Sequence, residues 1–265
     1  TCGVIMQAIV KNPLADPYIL GISAGASLGA TSAVLLGIGA ALGENAVGVA
    51  AFLGAFAVSV GVLFIANLGG RANAMKLLLG GMALSAVCSA FSSFIVYFAN
   101  DKEGIQTITY WMMGSLAGAR WDHMALIGGI VALAVLFFWT QSRILNLMLL
   151  GDESAITLGT DLHPYRQAYL IVSALVVGFA VFAAGMIGFV GLVVPHVVRM
   201  LVGTDHKRLI PVTALTGAIF LVVADGLCRV LIPHTELPIG ILISLVGAPA
   251  FIYLMVKRTY GFGGQ

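Results

Sequence analysis

A chain of 265 residues that is 60% hydrophobic and 9% charged, with a mean hydropathy of +1.05, carries too little polar material to cover a water-soluble domain. The composition is that of a polytopic membrane protein, and a net charge of +2 leaves no electrostatic footprint for nucleic acid. Thirty-three glycines fit this class, because small residues let helices approach closely in lipid; Cys2, Cys88 and Cys228 lie far apart, without the spacing of a metal site or a disulfide framework.

In chain order, residues 1–10 are apolar but cover about half of the ~20 residues a spanning helix needs, so the sequence is expected to start inside a helix that Lys11 closes at a membrane surface. No charged segment precedes them, which argues against a signal peptide. Asn12-Pro13-Leu14-Ala15-Asp16-Pro17 then reads as a rigid turn, and it feeds a helix whose Gly21, Gly25 and Gly29 recur every fourth residue on one face. Apolar periodicity predicts helices over 21–42, 46–68, 77–99, 124–139, 165–184, 189–202, 211–231 and 238–256. Residues 168–202 form one apolar run far longer than a bilayer is thick, and Gly185, Gly188, Gly191 and Pro195 are the candidate breakers.

Loop charges set the orientation. Lys11, Arg71, Lys76, Arg143, Arg166, Arg199, Lys207, Arg208, Lys257 and Arg258 fall on one side, against Lys102, Arg120 and Arg229 on the other. Ten against three puts the C-terminus in the cytoplasm, and this parity requires the split near 185–188. On the cytoplasmic side, residues 150–159 start with acids and end in glycine, as a short capped helix or an interfacial amphipathic turn would. On the external side, residues 110–119 are too short to span, and a half-helix in a protein-lined cavity and an aromatic anchor at the lipid interface both fit them.

The chemistry-bearing residues are sparse. Gly21-Ile22-Ser23-Ala24-Gly25 matches a serine-hydrolase elbow but opens a membrane helix rather than following a strand. An intramembrane protease would use Ser23 or Ser27 as nucleophile and His196 as base. A secondary transporter would use membrane-embedded titratable groups, of which Asp225 and His196 are the candidates; Asp225 also stands four residues before Arg229, the spacing of a local ion pair. His123, His163, His206 and His234 lack metal-like spacing, and no phosphate-cradling loop is present, so an ATP-driven role needs a partner subunit. Ser85, Ser89 and Ser92 form an uncharged polar stripe on one helix, which either lines a passage or bonds to a neighbouring helix.

Five motifs in order extend the reading: the opening turn with its glycine helix; Tyr110-Trp111-Met112-Met113-Gly114; Leu150-Gly151-Asp152 to Leu158-Gly159; Gly188-Phe189-Val190-Gly191 through Pro195-His196 to Arg199; and Glu236-Leu237-Pro238-Ile239-Gly240 with Gly247-Ala248-Pro249. Together they resemble the permease subunits of bacterial ABC importers for iron siderophores, haem and vitamin B12, the type II importers. The resemblance implies an all-α, ten-helix permease fold in one transmembrane domain over residues 1–265, with the first helix and most of the second absent. It also implies a homodimer in the inner membrane with the path between the two copies, two ATP-binding subunits that hold ATP and Mg, an external substrate-binding protein, and no cofactor or catalytic residue in this chain. Transport would proceed by alternating access. Ferric siderophore, haem and cobalamin are all cargoes of such permeases, iron complexes the most frequent.

Carried onto this sequence, the resemblance assigns Gly151, Asp152, Glu153, Ser154, Ala155, Ile156, Thr157, Leu158 and Gly159 to the segment that couples to the ATPase. It assigns Asn12, Leu14, Asn73, Ala74 and Met75 to the cytoplasmic gate, although Asn73-Ala74-Met75 departs from the hydroxyl-rich gate loop of the family. Ser85, Ser89 and Ser92 are assigned to the path, and Arg229 to docking of the binding protein.

Overall fold

The computed structural model describes residues 1–68, 70–232 and 235–257. It is helical throughout: α1 (Cys2–Val10), α2 (Ile22–Leu36), α3 (Ala46–Asn67), α4 (Ala74–Phe98), α5 (Lys102–Met112), α6 (Trp121–Thr140), α7 (Ser142–Leu150), α8 (Asp152–Thr157), α9 (His163–Ala184), α10 (Val190–Val202), α11 (His206–Leu231) and α12 (Ile239–Lys257), with 3₁₀ turns at Pro17–Leu20 and Ala40–Asn45. Among the described residues α3, α4, α6, α9 and α11 are long and apolar enough to cross a membrane; α2, α10 and α12 are shorter apolar helices. Large apolar side chains such as Phe64, Phe91, Leu133, Leu215 and Val222 stand exposed on the long helices, a surface that lipid tolerates and water does not. The protein is an all-α membrane protein.

The chain forms two compact units. One comprises Thr1–Pro17, Gly128–Ser173 and the described residues from Gly188 onward; the other comprises Tyr18–Ile127 and Ala174–Ile187. In the first, α1 packs against α7 and α10, and α11 packs against α7, α10 and α12. All nine residues of α1 are buried, so the segment closed by Lys11 lies in the core of this unit. Gly3 lies directly against the backbone carbonyl of Gly191. In a continuous helix that carbonyl would accept from residue 195, but Pro195 has no N–H, so the proline frees the oxygen that meets Gly3. Pro195 therefore sits inside α10 and does not break the apolar run. The break lies at residues 185–189, between the left-handed Gly185 (φ +68°) and Phe189 (φ +64°).

In the second unit α2 packs against α3, α4 and α5. The backbones of Gly25 and Gly54 are in mutual contact, and Gly29 lies on the backbone of Ala50. Bulky partners complete the fit, with Phe52 over Gly178 and Phe182 over Gly48. Helix α2 stops at Leu36, short of the expected 42, because Gly37 takes a left-handed conformation (φ +68°) and a 3₁₀ turn follows.

Two other boundaries differ from expectation for capping reasons. The side chain of Asp205 accepts a hydrogen bond from the Lys207 N–H and starts α11 at His206, five residues before the expected Pro211. Asp101 accepts from the Gly104 N–H and starts α5 at Lys102, so α5 precedes the expected 110–119 and shares only Tyr110 to Met112 with it. Residues 113–120 are not helical: Gly114 (φ +73°) ends the element and the Ser115 N–H donates to the Ala184 carbonyl.

The glycine contact makes a direct prediction. A Cβ at Gly25 would collide with backbone of α3, which cannot yield as a side-chain tip can. Gly25→Ala is expected to destabilise the protein by about 1–3 kcal/mol, and Gly25→Leu to abolish the monodisperse detergent-solubilised species. Thermal unfolding followed by size-exclusion chromatography measures both.

Candidate functional site

The cytoplasm-assigned segment is built on a sharp corner. α7 ends at Leu150, Gly151 (φ +104°) turns the chain, and α8 begins at Asp152. A side chain at Gly151 would be strained by its dihedral and would also press on the Lys11 ammonium. Asp152 fastens the new helix to the unit beneath it: Nη2 of Arg166 lies 2.8 and 3.1 Å from its two carboxylate oxygens, and Nζ of Lys11 lies 3.4 Å from one of them. Arg166 is almost fully buried, its side chain 5% exposed, whereas Asp152 is half exposed. Partial burial alone would raise the Asp152 carboxyl, but the hydrogen bond and charge of Arg166, with Lys11 behind them, hold it below the usual carboxylate range.

From this anchor α8 carries Ala155 inward, fully buried, and turns Glu153, Ser154, Ile156, Thr157 and Leu158 outward. Ile156 and Leu158 are 59% and 66% exposed, beside Leu150 at 63%. All three are exposed aliphatic side chains on a segment that also carries Asp152 and Glu153. The Thr160 N–H donates to the Ala155 carbonyl and closes the segment, and Gly159 (φ +80°) follows the helix end. α7 is braced in turn, since Asn146 donates to Asp205 at 2.7 Å and accepts from the His206 N–H at 2.9 Å. The Asn146 hydrogen bond, with that from the Lys207 N–H, lowers the Asp205 carboxyl.

The gate residues divide between the units. In the first, Asn12 accepts from the Leu14 N–H at 2.9 Å and stiffens the turn after Lys11, which is itself left-handed (φ +54°). In the second, Asn73 caps α4 by accepting from the Lys76 N–H at 2.9 Å, Ala74 is half-buried and Met75 stands exposed. The serine stripe also divides. Ser85 faces Gly21 across a helix contact, whereas Ser89 and Ser92 line a cavity of about 540 Å³ together with Ser27, Thr31 and Thr109. Arg229 is held by two carboxylates: Asp225 accepts from its Nε at 2.8 Å and Glu236 from its Nη1 at 3.5 Å.

The comparisons with known proteins decide what this arrangement belongs to. The profile of the FecCD transport family matches residues 1–257. The chain belongs to the FecCD transport family. The hemin transport system permease protein HmuU of Yersinia pestis is 39% identical over 260 residues, which cover 97% of this chain and 77% of that protein. The cobalamin import system permease protein BtuC of Halobacterium salinarum is 41% identical over 97% of this chain and 68% of its own length. The vitamin B12 import system permease protein BtuC of Salmonella paratyphi A is 40% identical over 97% and 77%. A solved metal-chelate type ABC transporter in an inward-facing conformation superposes with a TM-score of 0.87 at 33% identity, covering 97% of this chain and 80% of that one. PsaBC from Streptococcus pneumoniae in complex with Fab shares the fold more distantly, with a TM-score of 0.57 at 16% identity over 97% and 93%.

This FecCD-family chain is thus a multi-pass inner-membrane permease subunit of an ABC importer, not an enzyme. The local geometry agrees: Ser23 donates to the Met186 thioether at 3.1 Å and Ser27 to the Met112 thioether at 3.7 Å, and a thioether is no general base. Asp225 carries the Arg229 ion pair rather than standing alone as a proton site. Among the described residues no group of histidine, cysteine and acid side chains can hold a metal; His163 meets Gln167, His206 meets Asn146 and His123 packs edge-on against Phe182. His234 lies outside the described residues. Sequence reasoning missed Arg166 as the anchor of Asp152 and Glu236 as a partner of Arg229. The lone buried-side arginine just inside a helix start was the available signal for the first, and nothing local announced the second.

Asp152→Asn would remove one carboxylate charge from beside the buried Arg166. Because the carboxylate is half exposed and screened, the expected loss is on the order of 1 kcal/mol. Folding lowers this carboxyl, so its contribution is complete above the free-aspartate value of about 4 and fades as the pH falls through the lower folded value. Melting temperatures of the native protein and Asp152→Asn should therefore differ at neutral pH and converge as the pH falls below the free-aspartate value.

Proposed function

We propose that residues 1–265 act as one permease domain of the ten-helix type, paired with a second copy and with two ATP-binding subunits that carry ATP and Mg. An external substrate-binding protein delivers the cargo, an iron complex (ferric siderophore or haem) or cobalamin; relatives are named for hemin and for cobalamin. The C-terminus is cytoplasmic by the charge asymmetry, of which Lys257 is described and Arg258 is not. Transport runs by alternating access: nucleotide and loaded binding protein have unequal affinity for two states of the dimer and shift the balance between them.

The observation that carries this reading is α8. A helix of six residues that exposes Ile156, with Leu158 exposed just past its end, and that is fastened at its first residue to a buried arginine, is a rigid knob suited to a groove on another protein. We assign Gly151 to Gly159 to ATPase coupling on that ground. Asn12, Leu14, Asn73, Ala74 and Met75 take the cytoplasmic gate by position, and Arg229 takes the docking of the binding protein.

Arg229 is not a bare cation, however. Asp225 and Glu236 leave the cluster with one negative charge in excess, so a carboxylate on the binding protein must displace Glu236 to reach the guanidinium. Arg229→Glu should weaken docking by about tenfold at low salt and less at high salt. Glu236→Gln should strengthen it at low salt. Surface-plasmon measurements on the reconstituted complex read both, and unchanged affinity in both variants would remove Arg229 from the interface. For the function itself, vesicles holding the complete complex should accumulate cargo only with ATP and binding protein present, and a protonophore should leave uptake intact.

A further inference from the structure

Three elements of the first unit meet at one carboxylate. Asp152 opens α8, and its oxygens are gripped from two sides: by Arg166, near the start of α9, at 2.8 and 3.1 Å, and by Lys11, at the end of α1, at 3.4 Å. The two grips differ. The Arg166 side chain is 5% exposed and makes the short contacts, which makes it the fixed pivot; that of Lys11 is 37% exposed and makes the long contact, the one that yields first when α8 tilts. Lys11 also adjoins the turn assigned to the gate. α1 is wholly buried and clamped by the Gly3 contact and by Gln7, which accepts from Arg199, so it resists following α8 as a body. The chain bends at Lys11 (φ +54°), and Asn12 to Ala15 close on themselves: the Asn12 side chain accepts from the Leu14 N–H and its carbonyl from the Ala15 N–H. A helix end of this shape is usually finished by glycine, because a side chain is strained there. Lysine bears that strain here, and its ammonium is what reaches Asp152.

We propose that Lys11 is a positioning residue that ties the turn of residues 12–15 to α8, so that movement of α8 reaches Asn12 and Leu14 through the Lys11–Asp152 ion pair. The proposal rests on the assignment of α8 to ATPase coupling and of Asn12 and Leu14 to the gate, and it names the link between them. A tilt of α8 about Arg166 changes the separation of Asp152 from the ammonium, and the ammonium belongs to the residue before Asn12. Each position of α8 therefore favours a different position of the turn, which is the differential energy that a two-state gate requires. Without the ammonium, α8 keeps its Arg166 anchor and its buried Ala155, so the knob persists while the turn receives less of its movement.

The test uses the complete importer in proteoliposomes with its binding protein, offered hemin, cyanocobalamin and a ferric trihydroxamate in turn, and reads the ATP hydrolysed per cargo molecule imported. Lys11→Asn removes the ammonium and keeps the left-handed backbone, which asparagine tolerates. It should melt where the native protein does and raise the ratio about threefold, the bias that an exposed ion pair supplies. Lys11→Arg should keep the native ratio. Asp152→Asn should raise the ratio too, and because both substitutions cut the same link, the double variant should be no worse than Asp152→Asn alone. An unchanged ratio in Lys11→Asn would overturn the link, as would a double variant whose increases multiply to about ninefold. A ratio that rises only in step with a falling melting temperature would also overturn it, since that marks a lysine needed merely for stability. If Lys11→Asn does not assemble, Lys11→Gly relieves the backbone strain and takes its place with the same expected ratio. Failure of the native complex to import any of the three compounds with ATP would overturn the permease reading itself, a pattern distinct from native uptake that Lys11→Asn leaves fully coupled.

Discussion

Helices surrounded by lipid gain little from hiding apolar surface against one another, because the lipid tails are equally apolar; close packing must hold them together instead. Both units meet this demand in the same way, by bringing backbone against backbone where a glycine removes the side chain. In the second unit Gly25 and Gly54 touch, and Gly29 rests on Ala50; in the first, Gly3 rests on Gly191. Each contact shortens the distance between two helices and lets dispersion act along their whole length. The exposed aliphatic and aromatic faces of α3, α4, α6 and α11 are then free to meet lipid without weakening the interior.

The ion pairs gather mainly near helix ends. Asp152 with Arg166 and Lys11, Asn146 with Asp205 and His206, and Arg229 with Asp225 and Glu236 all join elements at or just beyond helix termini. Deeper in, Gln7 is wholly buried in α1 and accepts from Arg199 of α10 at 2.6 Å, which adds a directional bond to the Gly3 contact on the same pair of helices. The polar groups thus fix geometry, and the glycines supply proximity.

Much of this was legible from residues alone. Long apolar runs marked the spanning helices to within a few residues, since hydropathy reports the solvent directly, and the glycine spacing of α2 announced a close approach that α3 provides. What escaped were elements governed by single hydrogen bonds. Asp205 and Asp101 start helices by capping, which no periodicity reveals, and Pro195 proved compatible with a helix whose freed carbonyl finds Gly3. At the candidate site the exposed α8 could be drawn from its acids and glycines. Its anchor could not, because Arg166 stands fourteen residues beyond Asp152 and only the fold makes them neighbours.

A six-residue helix cannot hold its shape in water by propensity, because nucleating so few turns costs more than their hydrogen bonds return. α8 exists because Arg166 grips its first residue and Ala155 is seated below it. Its contour is therefore a certificate of completed folding. A nascent or half-inserted polypeptide displays no such knob, and whatever recognises it engages only molecules whose membrane core has already assembled.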